Sequence, residues 1–358
     1  MRAQSHTTGT AMGRNRWRQL LLVVAWVLAT ASCAPPEPVR IGFLGGLSGR
    51  VADLGIGGRN GAEDDQQDPE VAKQAVARLL ARPVEVIIGP MTSAMAMAVV
   101  PQINGTTVPL ISPTVTTNGL TGIDDQFFRV VAPTARHVFK SADHHYRQLG
   151  LRRIVLVCDL RNKAYADSWA GDFRRAFVAL GGTIADEVGF AADDALSTVA
   201  TRALASRPDG VVIIANSVDT GLLVQQIRLR DRQVRLATAE WAATERLIEL
   251  GGQAVEGLVV AQYVDRQNRN PAYLAFRKAY RERFAHEPGF AGLTAFDATN
   301  VALDALASRQ KQQTLKQALL AHGDFVGVQS PIRFDAKGDT ERDTFLSRIH
   351  DGEFQSLP

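Results

Sequence analysis

Residues 84–117, VEVIIGPMTSAMAMAVVPQINGTTVPLISPTVTT, constrain the fold of this chain more than any other stretch. Residues 84–88 are short, β-branched and apolar except for Glu85, the pattern of a strand covered on both faces of a parallel sheet. Gly89 and Pro90 stop that strand. Residues 91–103 then carry apolar side chains round most of a helix whose first turn holds Thr92 and Ser93. Residues 108–111 repeat the strand pattern and residues 112–117, SPTVTT, repeat the polar turn. Two successive β-turn-α units thus present hydroxyls and free N–H groups at the carboxyl ends of neighbouring strands, where open α/β sheets bind ligands. A small anion such as a carboxylate suits that place.

The rest of the chain extends the same alternation. Residues 39–44 form a first strand, residues 68–82 an amphipathic helix with Pro69 at its first position, and residues 127–131 another short strand. A new series begins after Ala132-Pro133-Thr134. Strands at 154–158, 183–188, 210–214, 235–238 and 258–261 alternate with helices at 165–180, 194–206, 220–230 and 243–250, which predicts a doubly wound parallel sheet. Helices at 271–286, 293–309 and 313–321 follow, and short strands near Ile332 and at 345–349 close the chain. The helix at 135–149 carries His137, His144 and His145. No cysteine or close carboxylate completes a metal set, so they read as a solvated helix face and no metal is expected.

Length and charge narrow the class. The 358 residues, 46% of them apolar, suffice for two core-forming domains. Arg2, Arg14, Arg16 and Arg18 lie in the first 33 residues, which hold no acid; removing those four from 40 basic groups leaves 36 against 37 acidic ones. The bulk of the chain is therefore not basic, and no nucleic-acid partner is expected. Residues 20–28 form an apolar run too short to span a bilayer and flanked like an export signal. Ala29-Thr30-Ala31 has the form of ordinary signal cleavage, whereas Ala31-Ser32-Cys33 resembles a bacterial lipobox, which would make Cys33 the lipid-bearing residue. Residues 34–38, APPEP, read as a stiff tether. The other cysteine, Cys158, sits in an apolar strand as a buried free thiol. The glycines at 45, 46 and 49 are followed by no Gly-Lys-Ser/Thr, and residues 55–60 miss the dinucleotide pattern, so no nucleotide and no other cofactor is expected. Without a Gly-x-Ser-x-Gly elbow or metal-spaced histidines, an enzyme is the weakest reading.

Several short motifs together resemble the type I periplasmic binding proteins, specifically the branched-chain amino-acid (Leu/Ile/Val) receptor family of ABC importers. They are the lipoprotein-like leader, Leu47-Ser48-Gly49, Asn60-Gly61-Ala62, Asp65-Gln66-Gln67-Asp68-Pro69-Glu70, and Ile88-Gly89-Pro90 with Ser93. Further along come Pro109 to Pro113, Gly119-Leu120-Thr121 before Phe128-Arg129, Glu256-Gly257, and Phe334-Asp335 with Gly338-Asp339. The resemblance implies an α/β fold of two doubly wound parallel-sheet lobes joined by a hinge. Residues 39–132 plus 263–328 would make the first lobe, and residues 133–262 plus 329–358 the second lobe and hinge. An amino acid or related small carboxylate would lie between them. Ser93, Thr114 and Thr116 match positions that hold an α-carboxylate, Glu240 the acid that takes an α-ammonium, and Tyr165 an aromatic wall. Leu54 and Ser217 fall near positions where branched-chain receptors carry further aromatics, and their absence suggests a ligand unlike leucine.

One departure from the family stands out. There Asn-Gly-Ala-Glu opens a helix, followed by a strand; here Glu63 runs straight into Asp64-Asp65-Gln66. A helix and an edge strand, on the order of 25 to 30 residues by the usual size of such a unit, are missing by this reading. The first strand would then be a sheet edge and one side of the first sheet would lose cover. The implied function is an exported, periplasmic, monomeric receptor anchored by lipid at Cys33 that delivers its ligand to an ABC permease. A ligand sensor of the same fold and a decayed, non-binding family member are the alternatives.

Overall fold

The computed structural model describes residues 39–46 and 62–358. Leu54 and Cys33, and with them the leader, the tether and the expected loss of a helix after the first strand, lie outside the described residues. The first sheet has five parallel strands in the order β2-β1-β3-β4-β5: β1 (Ile41–Gly45), β2 (Ala62–Asp64), β3 (Val86–Ile88), β4 (Leu110–Ser112) and β5 (Phe127–Arg129). Two helices cover one face, α1 (Pro69–Leu80) and α2 (Ser93–Ile103). Asp68 caps α1 by accepting from the N–H groups of Glu70 and Val71, and Pro69 takes the first position, where a missing N–H costs nothing.

Alternation along the strands explains why both faces are apolar. Leu44, Ile87, Leu110 and Phe127 point to the α1–α2 side and join Ala75, Leu79, Met95 and Val99 in one core. Phe43, Val86, Ile88, Ile111 and Phe128 point the other way. On that second face, helix α9 (Phe290–Ser308) packs on β3 and β4.

The first strand is not the sheet edge, contrary to the sequence expectation. Ala62–Asp64 pairs in parallel with β1, Phe43 facing Ala62 and Gly45 facing Asp64. Glu63 on this short strand meets Arg78 at 2.9 Å and Arg82 at 3.3 Å, both presented by α1 or the turn after it. A charged three-residue edge resists further strand pairing. Cover is thinner on the face of α9. Beside β1 an apolar groove of about 630 Å³ opens over Phe43, walled by Phe276, Tyr280, Phe284, Phe296 and Val326.

The second sheet has seven strands in the order β12-β11-β10-β9-β8-β6-β7. They are β6 (Arg153–Asp159), β7 (Thr183–Phe190), β8 (Gly210–Ile214), β9 (Arg235–Thr238), β10 (Val259–Gln262), β11 (Phe345–His350) and β12 (Glu353–Ser356). The first five run parallel and β11 and β12 form an antiparallel hairpin at one edge. Helices α3 (Thr134–Asp143), α4 (Lys163–Ala179), α5 (Leu196–Leu204), α6 (Ser217–Arg228) and α7 (Glu245–Gly251) cover it. The core includes a stack of Trp169, Phe173 and Phe177 on successive turns of α4, with ring centroids 5.2 and 5.4 Å apart. The expected strand near Ile332 is a single bridge to Phe325, and β12 went unpredicted because Glu-Phe-Gln-Ser lacks a strand's apolar signal.

The histidine face of α3 is a correction. His137 and His145 are buried, and only His144 keeps partial exposure. His137 lies on the stripe of Val138, Ser141 and Ala142 that α3 turns toward α4, and His145, in the π-helical turn that continues α3 (His144–Gln148), meets the Phe173 ring edge-on at 5.8 Å. Burial pushes the His145 imidazole down to about 4 even though its Nδ1 lies 2.5 Å from the Ser141 carbonyl oxygen.

The chain passes between the sheets three times: after β5, after β10 into α8 (Pro271–Phe284), α9 and α10 (Leu315–Ala321), and between α10 and β11. Arg129 ties these passages together. Fully buried, its guanidinium donates to Asp339 Oδ1 at 2.7 Å, the Thr117 carbonyl at 2.9 Å and Thr121 Oγ1 at 2.6 Å. A Cβ on Gly338, at φ +81°, would stand 2.5 Å from the Phe127 carbonyl oxygen, so only glycine lets this passage lie against β5. Three family-like motifs, Gly119-Leu120-Thr121, Phe128-Arg129 and Gly338-Asp339, thus meet at one buried ion pair. Arg342 repeats the device, bonding Asp297 at 2.9 Å and the Val130 carbonyl at 3.1 Å.

Candidate functional site

The carboxyl ends of strands from both sheets converge on one small space. From the first, β3 leads into Met91, Thr92 and Ser93, and β4 into Thr114; from the second, β6 leads to Asn162 and Tyr165, β9 to Trp241 and β10 to Tyr263, while Phe290 opens α9. Gly89 makes the first approach possible. Its φ is +121°, and a Cβ there would lie 2.0 Å from the Leu44 carbonyl oxygen. The space between the converging strand ends measures about 10 Å³, that of a single water. The lobes are shut on each other.

The first-lobe wall is built of hydroxyls and N–H groups. Ser93 Oγ accepts from the N–H groups of Thr116 at 3.4 Å and Thr117 at 3.3 Å. The Thr114 hydroxyl donates to the Met91 carbonyl at 2.5 Å, and Ser112 Oγ donates to the Pro90 carbonyl at 2.8 Å. In the first turn of α2 the N–H of Ala94 reaches across the cleft to Asn162 Oδ1 at 2.9 Å. Thr92, at the cap position of α2, makes no capping bond; its Oγ1 is buried without a partner, and so is the indole N–H of Trp241. Both residues line the same small cavity.

The second-lobe wall is built round Glu240, which is 1% exposed. Its Oε2 accepts from the Tyr165 hydroxyl at 3.0 Å and the Trp169 indole at 2.9 Å. Its Oε1 lies 3.0 Å from His137 Nε2, off the line of a straight N–H···O bond. Burial would raise this carboxyl, but the His137 imidazole and the bonds from its own backbone and from Tyr165 hold it below its ordinary value. The Tyr165 ring meets Trp241 edge-on at 5.8 Å. Helix α4 also closes the rim: Ser168 Oγ lies 3.1 Å from Thr117 Oγ1 and accepts from the Asn118 N–H at 3.1 Å, and Asp172 accepts from Asn118 Nδ2 at 2.8 Å.

Of the residues expected from the sequence, Ser93, Thr114 and Tyr165 line the space directly. Thr116 stands behind Ser93 through its N–H, and Glu240 stands behind Tyr165. Ser217 is elsewhere, at the first turn of α6 beyond β8, next to a cluster in which Arg161 pairs with Asp159 at 2.6 Å and with Asp219, and Asn216 donates to Asp159 at 3.2 Å. Sequence reasoning missed Asn162, Trp241, Tyr263, Phe290 and His137. Trp241 and Tyr263 had a usable signal, since Trp241 directly follows Glu240 and Tyr263 lies two residues past the expected strand at 258–261. Cys158 is buried and free, its thiol pushed up to about 12 by burial, so it is chemically quiet.

Similar proteins give this arrangement a context. A family model described as periplasmic binding protein matches residues 62–353. A comparison with curated protein sequences finds no match. Among solved structures, the fold is similar to a leucine-binding protein from Thermotoga maritima, with 23% identity, a TM-score of 0.82, and 90% of this chain and 98% of that one covered. It is similar to a branched-chain amino-acid transporter substrate-binding protein from Streptococcus pneumoniae solved with isoleucine, at 20% identity and TM-score 0.81 over 90% and 99% of the chains. It is similar too to an ABC-transporter solute-binding protein of R. palustris solved with benzoate, at 20% identity and TM-score 0.79 over 90% and 96%.

Proposed function

The chain belongs to the periplasmic binding protein family, and from that premise we propose that it is the solute-binding component of an ABC importer, capturing a small organic carboxylate, an amino acid or a related acid, between its two lobes. It is a binding protein and not an enzyme. The observation that carries the proposal is the pair of buried, unpartnered donors, Trp241 Nε1 and Thr92 Oγ1, on one cavity at the amino end of α2. An indole N–H can only donate, and leaving it unpaired costs about 1–3 kcal/mol. A carboxylate oxygen recovers that loss and meets the positive end of the helix.

The cavity is too small for any such ligand as it stands, so uptake requires the lobes to part about the three passages held by Arg129 and Arg342. In this reading residues 39–132 with 263–328 form one lobe and residues 133–262 with 329–358 the other. Ser93, Thr114 and Thr116 supply the carboxylate side, with Tyr165 as the facing wall. Among the described residues no helix is long and apolar enough to cross a membrane; attachment would come from a lipid on Cys33, the residue that ends the leader. The ligands of the solved relatives, isoleucine in one and benzoate in another, are both small carboxylates.

The test is a thermal-shift and tryptophan-fluorescence screen of amino acids and small carboxylates. A ligand at a hundred times its Kd adds about 2.7 kcal/mol, and Trp241→Phe, which removes the N–H donor together with the five-membered ring that carries it, weakens it roughly tenfold or more. A cooperative melt that no carboxylate shifts overturns the reading.

A further inference from the structure

We infer that the ligand is a carboxylate without an amino group, an aromatic monocarboxylic acid by class, because Glu240, the acid among the described residues placed to receive an ammonium, is already ringed by partners from within the protein. This rests on the carboxylate-binding reading above and narrows it. A carboxylate offers about four acceptor positions. On Glu240 the Tyr165 hydroxyl, the Trp169 indole and the backbone N–H of Glu240 itself occupy three, and the His137 ring, its Nε2 3.0 Å from Oε1 but out of line for a straight hydrogen bond, covers the fourth.

None of these partners can step aside cheaply. Trp169 is 0% exposed and stacks on Phe173, Tyr165 is buried, and the His137 ring is buried edge-on to Tyr263 at 5.7 Å. Tyr165 stands with its hydroxyl on Glu240, between that acid and the cavity it lines. An ammonium would arrive at a wall of rings and neutral hydroxyls with no carboxylate uncovered to meet its charge, an arrangement that is costly when a charge is desolvated. The rings themselves suit a different guest. Tyr165, Trp241, Tyr263 and Phe290 all line the cavity, and the unpartnered donors Trp241 Nε1 and Thr92 Oγ1 serve a carboxylate.

Matched pairs decide it. The full chain is titrated with 3-phenylpropanoate and phenylalanine, and with 4-methylpentanoate and leucine, members of each pair differing only in the amino group; benzoate and acetate are added to read the aromatic preference. The expected result is at least tenfold tighter binding of the acid lacking the amino group in each pair, and of benzoate over acetate. His137→Ala, by uncovering Oε1, should shift each pair's ratio toward the amino acid by about tenfold; His137→Gln, which keeps a neutral donor near the carboxylate and preserves more of the packing, should shift it less. Glu240→Gln should leave the ratio within threefold of its starting value. An amino acid that binds as tightly as its counterpart overturns this inference and leaves the carboxylate-binding reading standing. Failure of all six compounds to bind overturns both.

Discussion

The two lobes divide the work unequally. The first sheet has strands of three to five residues, a short charged edge strand and an open apolar groove beside β1. The second has strands as long as seven and eight residues and a stacked aromatic layer under its cleft wall. The difference extends to the site. The first lobe offers backbone N–H groups and small hydroxyls, which on the proposed function receive any anion of suitable size. The second offers Glu240, Tyr165 and Trp169, which are bonded to one another and cannot be exchanged without disturbing its core. On the proposed function, generic affinity resides in one half and discrimination in the other, where it is tied to stability.

Four measurements break or sharpen that contrast. The largest effect is expected for Trp169→Ala, which empties the aromatic stack and strips Glu240 of a donor; denaturant unfolding should record a loss of about 3–5 kcal/mol. A loss no larger than that of Ile87→Val in the first lobe, about 1 kcal/mol, would erase the contrast. The second effect is acid sensitivity. The folded His145 value of about 4 lies below the ordinary 6.5, so its contribution is present above pH 6.5 and is lost as pH falls through about 4. Over that window unfolding free energy should drop by about 3 kcal/mol, and His145→Leu should flatten the slope. Asp65 in the first lobe has the opposite sign, because burial raises its carboxyl and its contribution fades as pH rises.

Third, Asn162→Ala removes the acceptor on the Ala94 N–H and should cost about 1 kcal/mol, read in the melt of the ligand-free protein; no change would mean the contact holds nothing shut. The smallest effect belongs to the groove. Phe296 is 45% exposed there, so Phe296→Ser should stay within about 0.5 kcal/mol. A larger loss would mean that the first lobe depends on the groove being covered.

Much of this was legible from the chain. The runs at 84–88 and 210–214 are β-branched, apolar and bounded by turn residues, and they became β3 and β8 with small shifts at their ends. Gly89-Pro90, Ser93 and Thr114 stand in the polar turns read at the ends of expected strands, whereas Tyr165 and Glu240 came from the family resemblance. What escaped has physical causes. Strand β2 is Ala-Glu-Asp, held by pairing to β1 and by arginines of α1, neither of which is local. His137 and His145 looked solvated because isolated helical spacing does not reveal which neighbour arrives, and α4 arrives on that side. Asn162 reads as a loop residue until the lobes meet.

That last contact has a thermodynamic consequence. Asn162 Oδ1 on the first turn of α2 joins the two lobes through groups of the protein itself. A ligand then competes with an internal occupant, and its apparent Kd is the intrinsic one divided by the fraction of molecules standing open. A docking partner that recognises only the closed form would therefore be engaged in proportion to how firmly this internal latch holds.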